Sequence, residues 1–158
     1  MAPEKSRRAN RLVTSNKRAL YEYFILESIE AGIVLTGTEI KSVREGKVSI
    51  SEAYVRVDRG ELWLIGSNIT PYSHGSYTNH DPARPRKLLA HKSQIRELKE
   101  MIEQKGLTIV PLRIAMKDGL AKVDIGVARG KKLHDKRASE AEREGKRDIA
   151  RALRQGDF

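Results

Sequence analysis

The chain has 158 residues, with 31 Lys and Arg against 21 Asp and Glu, giving a formal net charge of +10. It has no cysteine, which excludes disulfides, thiolate nucleophiles and cysteine-ligated zinc or iron–sulfur centres. No apolar run reaches the roughly 20 residues that span a bilayer, and Met1-Ala2-Pro3-Glu4-Lys5 leads into no apolar signal region. The expectation is a soluble cytoplasmic protein with no membrane partner.

In chain order, Tyr21 to Glu27 is rich in aromatic and branched residues and predicts a strand, and Gly32 to Thr36 predicts a second one, ending at Gly37. Ile40 and Val43, three apart, predict a short helix over Thr38–Arg44. Ala53, Val55 and Val57 alternate with polar residues, Asp58-Arg59-Gly60 turns the chain, and Glu61 to Ile65 returns it, which predicts a hairpin. The apolar second arm predicts burial on both faces. Pro71, Gly75, Pro82 and Pro85 mark a long loop up to Arg86. Ile95, Leu98 and Ile102, with Gly106 as a stop, predict a helix over 92–105. A last hairpin follows: Val110 to Met116, a Lys117-Asp118-Gly119 turn, then Ala121, Val123, Ile125 and Val127 inward with Lys122, Asp124 and Gly126 facing the other way.

About six strands with one long helix favour a small closed or half-closed OB-like barrel over a doubly wound sheet. The chain divides into a basic arm (1–19), a folded body (20–128) and a basic tail (129–158). From Gly130 to Phe158 the only large aliphatics are Leu133, Ile149 and Leu153, too few to offset ordering entropy alone.

Charge is uneven: residues 1–20 carry net +5, 21–83 net −4, 84–128 net +5 and 129–158 net +4. Basic ends around a mildly acidic segment suit a polyanion met along particular surfaces, nucleic acid ahead of anionic lipid. Catalytic signals are poor. His74, His80, His91 and His134 are scattered with no metal-ligand spacing, so neither metal nor cofactor is expected. Gly66-Ser67-Asn68 lacks the form of a nucleophile elbow. Gly126-Val127-Ala128-Arg129-Gly130-Lys131-Lys132 has three residues between its glycines where a phosphate-binding loop has four, and a lysine where Ser or Thr holds magnesium. It reads instead as a flexible exit, Gly126 and Gly130 permitting bends, into either a phosphate-neutralising tail or a solvated tether. Two further clusters, Asn16-Lys17-Arg18 and Arg84-Pro85-Arg86-Lys87-Leu88-Leu89, set cations beside Tyr21, Tyr23 or leucines, a combination that suits RNA loops. Leu88 and Leu89 read equally well as core.

Asn16-Lys17-Arg18, Tyr23-Phe24-Ile25, Glu30 through Ser42, Asp81-Pro82 with Arg86 to Leu89, and Gly126 to Lys132 with Asp135-Lys136-Arg137 stand in the order seen in the SsrA-binding protein family, which the chain resembles over residues 16–137. The resemblance implies an OB-type barrel with added helices and a C-terminal tail that is disordered when free. It implies a non-catalytic partner of transfer-messenger RNA in trans-translation. The barrel holds the tRNA-like part of that RNA, and the tail turns helical in the empty mRNA channel beside the decoding centre in 16S rRNA. A monomer bound to RNA is expected.

By matching motif, Asn16, Lys17, Arg18, Tyr23, Glu30, Lys41, Arg86, Lys87 and Leu89 are implied for the RNA face, and Arg129, Gly130, Lys131, Lys132, His134, Asp135, Lys136 and Arg137 for the tail. Glu30 either accepts from base amino groups or positions a neighbouring lysine. Leu20-Tyr21 replaces the Arg-His usual in relatives, and Ala90 interrupts a leucine-rich stretch. Gly145 predicts a tail helix that is marginal in water. The alternative is a ribosomal or assembly protein resident in rRNA; an RNA-modifying enzyme lacks an acid–base pair.

Overall fold

The computed structural model describes residues 10–73, 79–132, 136–138 and 140–147. Its elements run β1 (Arg11–Ser15), α1 (Lys17–Glu22), β2 (Tyr23–Ile33), α2 (Gly37–Arg44), β3 (Val48–Ser49), β4 (Tyr54–Asp58), β5 (Glu61–Ile65), β6 (Asn68–Ile69), β7 (Arg86–Leu89), α3 (Lys92–Lys105), β8 (Thr108–Lys117) and β9 (Leu120–Gly130). Strands β8, β4, β5, β7, β2 and β9 pair in that order, and β9 pairs back onto β8, so the antiparallel sheet closes into an OB-like barrel with β1 added on β8. Closure removes the free edges that invite aggregation. The thinnest seam is between β4 and β8, where Val55 opposite Ile109 is the single register pair. Helix α3 contacts both of those strands and turns Ile95 and Leu98 into the core there.

Alternation sets which side chains fill the barrel. Val55, Leu62, Leu64, Leu88, Ile109, Ile114, Val123, Ile125 and Val127 are buried together, while their sequence neighbours face outward. Both expected hairpins are present. Arg59 and Gly60 have φ of 52° and 76°, and Asp118 and Gly119 have 53° and 76°, the paired positive values of a turn whose twist matches the strands. Helix α3 ends where expected, at Gly106 in the left-handed conformation with φ of 63°.

Several expectations change. Tyr21 lies in α1, because the Asn16 side chain caps a helical turn by accepting from the Ala19 N–H at 3.1 Å. Strand β2 is one element of 11 residues in place of the two strands expected over Tyr21–Glu27 and Gly32–Thr36, since Ile29, Ala31 and Ile33 keep the inward alternation. The second arm of the first hairpin is buried on one face only: Leu62 and Leu64 point in, Trp63 and Ile65 are half-buried outside. The sheet begins upstream of the boundary expected at 19/20 and continues past 128, taking in Arg11–Ser15 at one end and Arg129 and Gly130 at the other.

Gly126 is not a bend. It sits in β9 opposite Ser28, and a Cβ there would come within 3.0 Å of Ile25 Cγ2 and of Leu112 Cδ1. Ile25 and Leu112 pack closely over this glycine. Residues 136–138 and 140–147 are helical. Good helix formers outnumber the one glycine, and Glu142 meets Lys146 four residues on at 3.5 Å. Among the described residues, no helix is long and apolar enough to cross a membrane.

Candidate nucleic-acid interface

The loop before β7 is tied down by a buried ion cluster. Glu39 and Arg86 are both fully buried, with Arg86 Nε donating to Glu39 Oε2 at 2.7 Å. Arg84, partly exposed, pairs with the same carboxylate from outside and donates to its Oε2 at 3.1 Å. Glu39 also completes the capping box of α2, its Oε1 accepting the Thr36 N–H at 2.8 Å. The rest of the Arg86 guanidinium donates to the carbonyls of Ser67, Pro82 and Asp81 and to Ser67 Oγ. Burial alone pushes the Glu39 pKa up, but bonds from Arg84, Thr36 and Arg86 outweigh it and hold the carboxyl at about 2, against its ordinary 4.5. Burial likewise lowers Arg86, against the pull of Glu39.

This corrects the site expected from the motifs. Arg86 is a structural bolt with no exposed atom for RNA. Asn16 is 3% exposed, and besides its capping bond its Nδ2 donates to the carbonyls of Ile50 at 3.1 Å and Pro111 at 2.9 Å. It joins α1 to β8 instead of facing a ligand. Leu88 and Leu89 divide: Leu88 is core, Leu89 is 54% exposed.

The other residues form two outward faces at opposite ends of β2. One is built on the C-terminal half of β2 and its neighbours. Glu30 lies opposite Asp124, and Gly32 has Leu89 on one side and Lys122 on the other. Glu30 pairs with Lys117, and Arg113 Nε meets Asp124 Oδ2 at 2.9 Å, both across an open cleft of about 220 Å³ that Leu12 and Lys122 also line. Of the two roles open to Glu30, positioning a lysine is the one the geometry supplies; its hydrogen bond also raises the Lys117 pKa. Lys122 makes no ion pair among the described residues. The sequence motifs do not include Arg113, Lys117, Lys122 or Asp124, although the strict alternation of β9 already turns Lys122 and Asp124 outward.

The second face joins α1, the start of β2 and the end of β9. Phe24 carries the Arg129 guanidinium and the Lys131 ammonium, each 5.0 Å from its ring centre. Lys131 is also anchored on α1, its N–H donating to the Glu22 carbonyl at 2.8 Å and its Nζ to the Leu20 carbonyl at 3.1 Å. A cation at the carbonyl end of a helix is favoured, so this residue fixes where the tail leaves the barrel. Beyond it, Lys136 Nζ lies 5.7 Å from the Tyr21 ring centre, and burial together with Glu140 raises the Tyr21 pKa. Lys17 is exposed and Tyr23 half-buried beside it. Arg18 pairs with Glu22 at 2.9 Å and approaches Glu52 at 3.5 Å; the Glu22 hydrogen bond is the main cause of its raised pKa.

Lys41 and Lys87 belong to neither face's centre. Lys41 sits 5.4 Å from the Tyr72 ring, and Lys87 meets Glu61 at 3.2 Å. Arg129, Lys132 and Arg137 are exposed, whereas His134 and Asp135 lie outside the described residues. His80 is committed on both nitrogens, Nε2 to the Ile69 carbonyl at 2.8 Å and Nδ1 to the Thr38 hydroxyl at 2.9 Å. No cluster of metal-ligating side chains occurs among the described residues.

The family model described as "SmpB protein" matches residues 13–155. An SsrA-binding protein of Desulforudis audaxviator is 50% identical over 149 residues, covering 94% of this chain and 97% of its own. Another, of Trichormus variabilis, is 51% identical over 145 residues, covering 91% and 94%. A solved chain described by the words "tmRNA-SmpB: a journey to the center of the bacterial ribosome" superposes with a TM-score of 0.65 at 51% identity, over 78% of this chain and 91% of that one. The chain belongs to the SmpB family of SsrA-binding proteins.

Proposed function

We propose that this chain is a non-catalytic RNA-binding factor that holds the tRNA-like part of transfer-messenger RNA and delivers it to stalled ribosomes for trans-translation, its tail sensing the empty mRNA channel. The observation that carries this reading is the separation of two cation-bearing faces along one rigid strand. From Phe24 to Glu30 is six residues of β2, about 20 Å at the rise of a strand. One face presents Glu30, Arg113, Lys117, Lys122 and Leu89 on the barrel wall, with Lys41 and Lys87 flanking it. The other sets Lys131, Lys132, Lys136 and Arg137 beside α1, where Lys17 and Arg18 stand next to Tyr23. Mixed charge with exposed apolar groups suits a folded RNA whose loop bases are accessible, whereas a lysine- and arginine-rich helix suits a channel walled by rRNA phosphates.

The division of labour is the testable content. Replacing Lys132, Lys136 and Arg137 by glutamine is expected to leave affinity for a tRNA-like fragment of transfer-messenger RNA within about threefold, since at most a few peripheral phosphate contacts are lost. The same variant is expected to lose peptide release on ribosomes stalled without a stop codon. Equal loss of both activities overturns the separation of faces, and wild-type protein with no preference for the fragment over an unrelated hairpin overturns the partner.

A further inference from the structure

Between the tip of the first hairpin and α3 runs an open groove of about 580 Å³, with Arg59 on the hairpin side and Lys92, Arg96 and Lys99 on the helix side. Spacings of four and three put the three helical cations on one face of α3, along about 10 Å at 1.5 Å per residue. All four residues are exposed, and none of them makes an ion pair among the described residues. The one hydrogen bond of the set, Arg96 Nε to the Lys92 carbonyl at 3.4 Å, stays within the helix. Glu61 is the single acid in the lining, and Lys87 already holds it at 3.2 Å. Leu88 and Ile95 beneath belong to the core.

Arg59 is, in addition, an unusual residue for its turn. Its φ of 52° is the left-handed conformation that such turns favour in Asn, Asp or Gly, and the second hairpin has Asp118 there at 53°. A bulky side chain in that region costs stability and is found where function or the surroundings demand it. No hydrogen bond or ion pair of the Arg59 side chain with the described residues accounts for it.

We propose that Arg59, Lys92, Arg96 and Lys99 grip the phosphate backbone of transfer-messenger RNA outside its tRNA-like part, a second RNA contact built on α3 and the hairpin tip. This rests on the RNA-binding reading above and extends it to a further stretch of the same RNA. Leu89 stands on the border: it pairs with Gly32 on the wall and also lines the groove, so RNA held on the wall reaches this edge. The tail leaves beside Phe24, at the other end of β2, which sets the groove apart from whatever receives the tail. Four cations with no acid to leave meet phosphate at full charge, unlike Lys117 and Arg113 on the wall.

The test compares full-length transfer-messenger RNA with its isolated tRNA-like fragment, and an unrelated hairpin serves as control. Wild-type protein that binds fragment and hairpin equally well sinks the underlying RNA reading. If the fragment is preferred, the wild-type log–log salt slope is expected to be steeper for the full-length RNA than for the fragment, and equal slopes overturn the groove. Combining Arg59→Asn, Lys92→Gln, Arg96→Gln and Lys99→Gln should flatten the full-length slope by about 2–4, at roughly 0.7–0.9 for each phosphate released. Full-length affinity should fall at least about tenfold and fragment affinity stay within about threefold. Combining Arg44→Gln, Lys47→Gln, Arg56→Gln and Lys105→Gln removes the same charge elsewhere; an equal effect there overturns the proposal, because net charge then accounts for it. Unchanged full-length binding also overturns it, including the case in which only affinity for empty ribosomes falls and the groove belongs to rRNA. If the fourfold variant fails to fold, Arg59→Asn alone carries the test. Its thermal midpoint should rise, since asparagine suits the turn, while full-length affinity falls about two- to fivefold. A raised midpoint with unchanged affinity overturns the proposal.

Discussion

Glu39→Gln should be among the most damaging single substitutions in the molecule, although it removes one charge and almost no volume. In the native chain the carboxylate accepts from Arg86 Nε at 2.7 Å, from Arg84 and from the Thr36 N–H, inside a site where Glu39 and Arg86 have no exposed surface. The amide leaves the Arg86 guanidinium buried among neutral acceptors, the carbonyls of Ser67, Pro82 and Asp81 and the Ser67 hydroxyl. Breaking a buried pair from one side costs about 3–5 kcal/mol, a large part of the roughly 5–15 kcal/mol that holds a typical domain together. Removing both charges is a different perturbation: Glu39→Gln combined with Arg86→Met leaves no uncompensated ion, so at least half of the single-variant loss should return. Urea unfolding at pH 7, read by the fluorescence of Trp63, measures all three proteins. A Glu39→Gln loss below about 1 kcal/mol, the worth of an ordinary exposed pair, refutes the reasoning.

The same cluster fixes a pH dependence. The native carboxyl titrates at about 2 and the unfolded one near 4.5, so on acidification the unfolded chain takes up this proton first. The stabilisation is complete above 4.5 and is lost as the pH falls through 2. At about 1.4 kcal/mol for each pH unit between the two titrations, it amounts to roughly 3 kcal/mol. Subtracting the Glu39→Gln profile from the wild-type profile isolates it from the other carboxylates. A flat difference over that interval contradicts the assigned ionisation.

Three further outcomes test particular contacts. Asn16→Asp should destabilise more than Asn16→Ala, because the acid keeps the cap but points a carboxylate at the carbonyls of Ile50 and Pro111 where the amide donated; thermal melts rank the two. Gly126→Ala should cost about 1–3 kcal/mol by overpacking against Ile25 and Leu112, measured by denaturant unfolding, with RNA affinity per folded molecule unchanged. Lys131→Met should change stability by less than about 1 kcal/mol, an exposed contact being weak. It should leave fragment binding intact and reduce rescue on stalled ribosomes, since it frees the tail from the Leu20 carbonyl and from Phe24.

The barrel was legible because its signals are local. Alternation in Val110–Met116 and Ala121–Val127, and the paired turns at Arg59-Gly60 and Asp118-Gly119, depend on neighbours in sequence. What misled were residues whose environment is set by distant chain. Nothing near Arg86 in the sequence shows that Glu39, 47 positions away, neutralises it, so a buried bolt reads as one more surface cation in a basic run. Asn16 is similar, its amide satisfied by carbonyls 34 and 95 positions on. Gly126 reads as a bend because glycine is permissive, while the sheet uses it for the missing side chain. The alternation of Lys122 and Asp124 was visible, but only the pairing of β9 with β2 brings them to Glu30 and Gly32.

That pairing gives Glu30 a role that charge counting alone would misjudge. A carboxylate on the proposed RNA-binding wall repels phosphate, yet Glu30 holds Lys117, as Asp124 holds Arg113. A cation already paired gains little from a phosphate, because it must leave one anion to meet another and because the remaining carboxylate repels the newcomer. Lys122, with no such partner among the described residues, is free to meet RNA at full charge. On the proposed reading the wall discourages arbitrary backbone contact and favours RNA that also fits its apolar and hydrogen-bonding features, which is discrimination by a disfavoured alternative. Glu30→Gln should loosen this control. Binding of an unrelated hairpin should tighten, and its log–log salt slope should steepen by about 0.7–0.9, one phosphate neutralised by the released Lys117. Preference for the tRNA-like fragment should shrink. Lys117→Gln, which removes a cation already engaged, should flatten the hairpin slope by less than Lys122→Gln does. An unchanged hairpin affinity in Glu30→Gln, with the fragment bound as before, contradicts this account of why an acid stands on the RNA face.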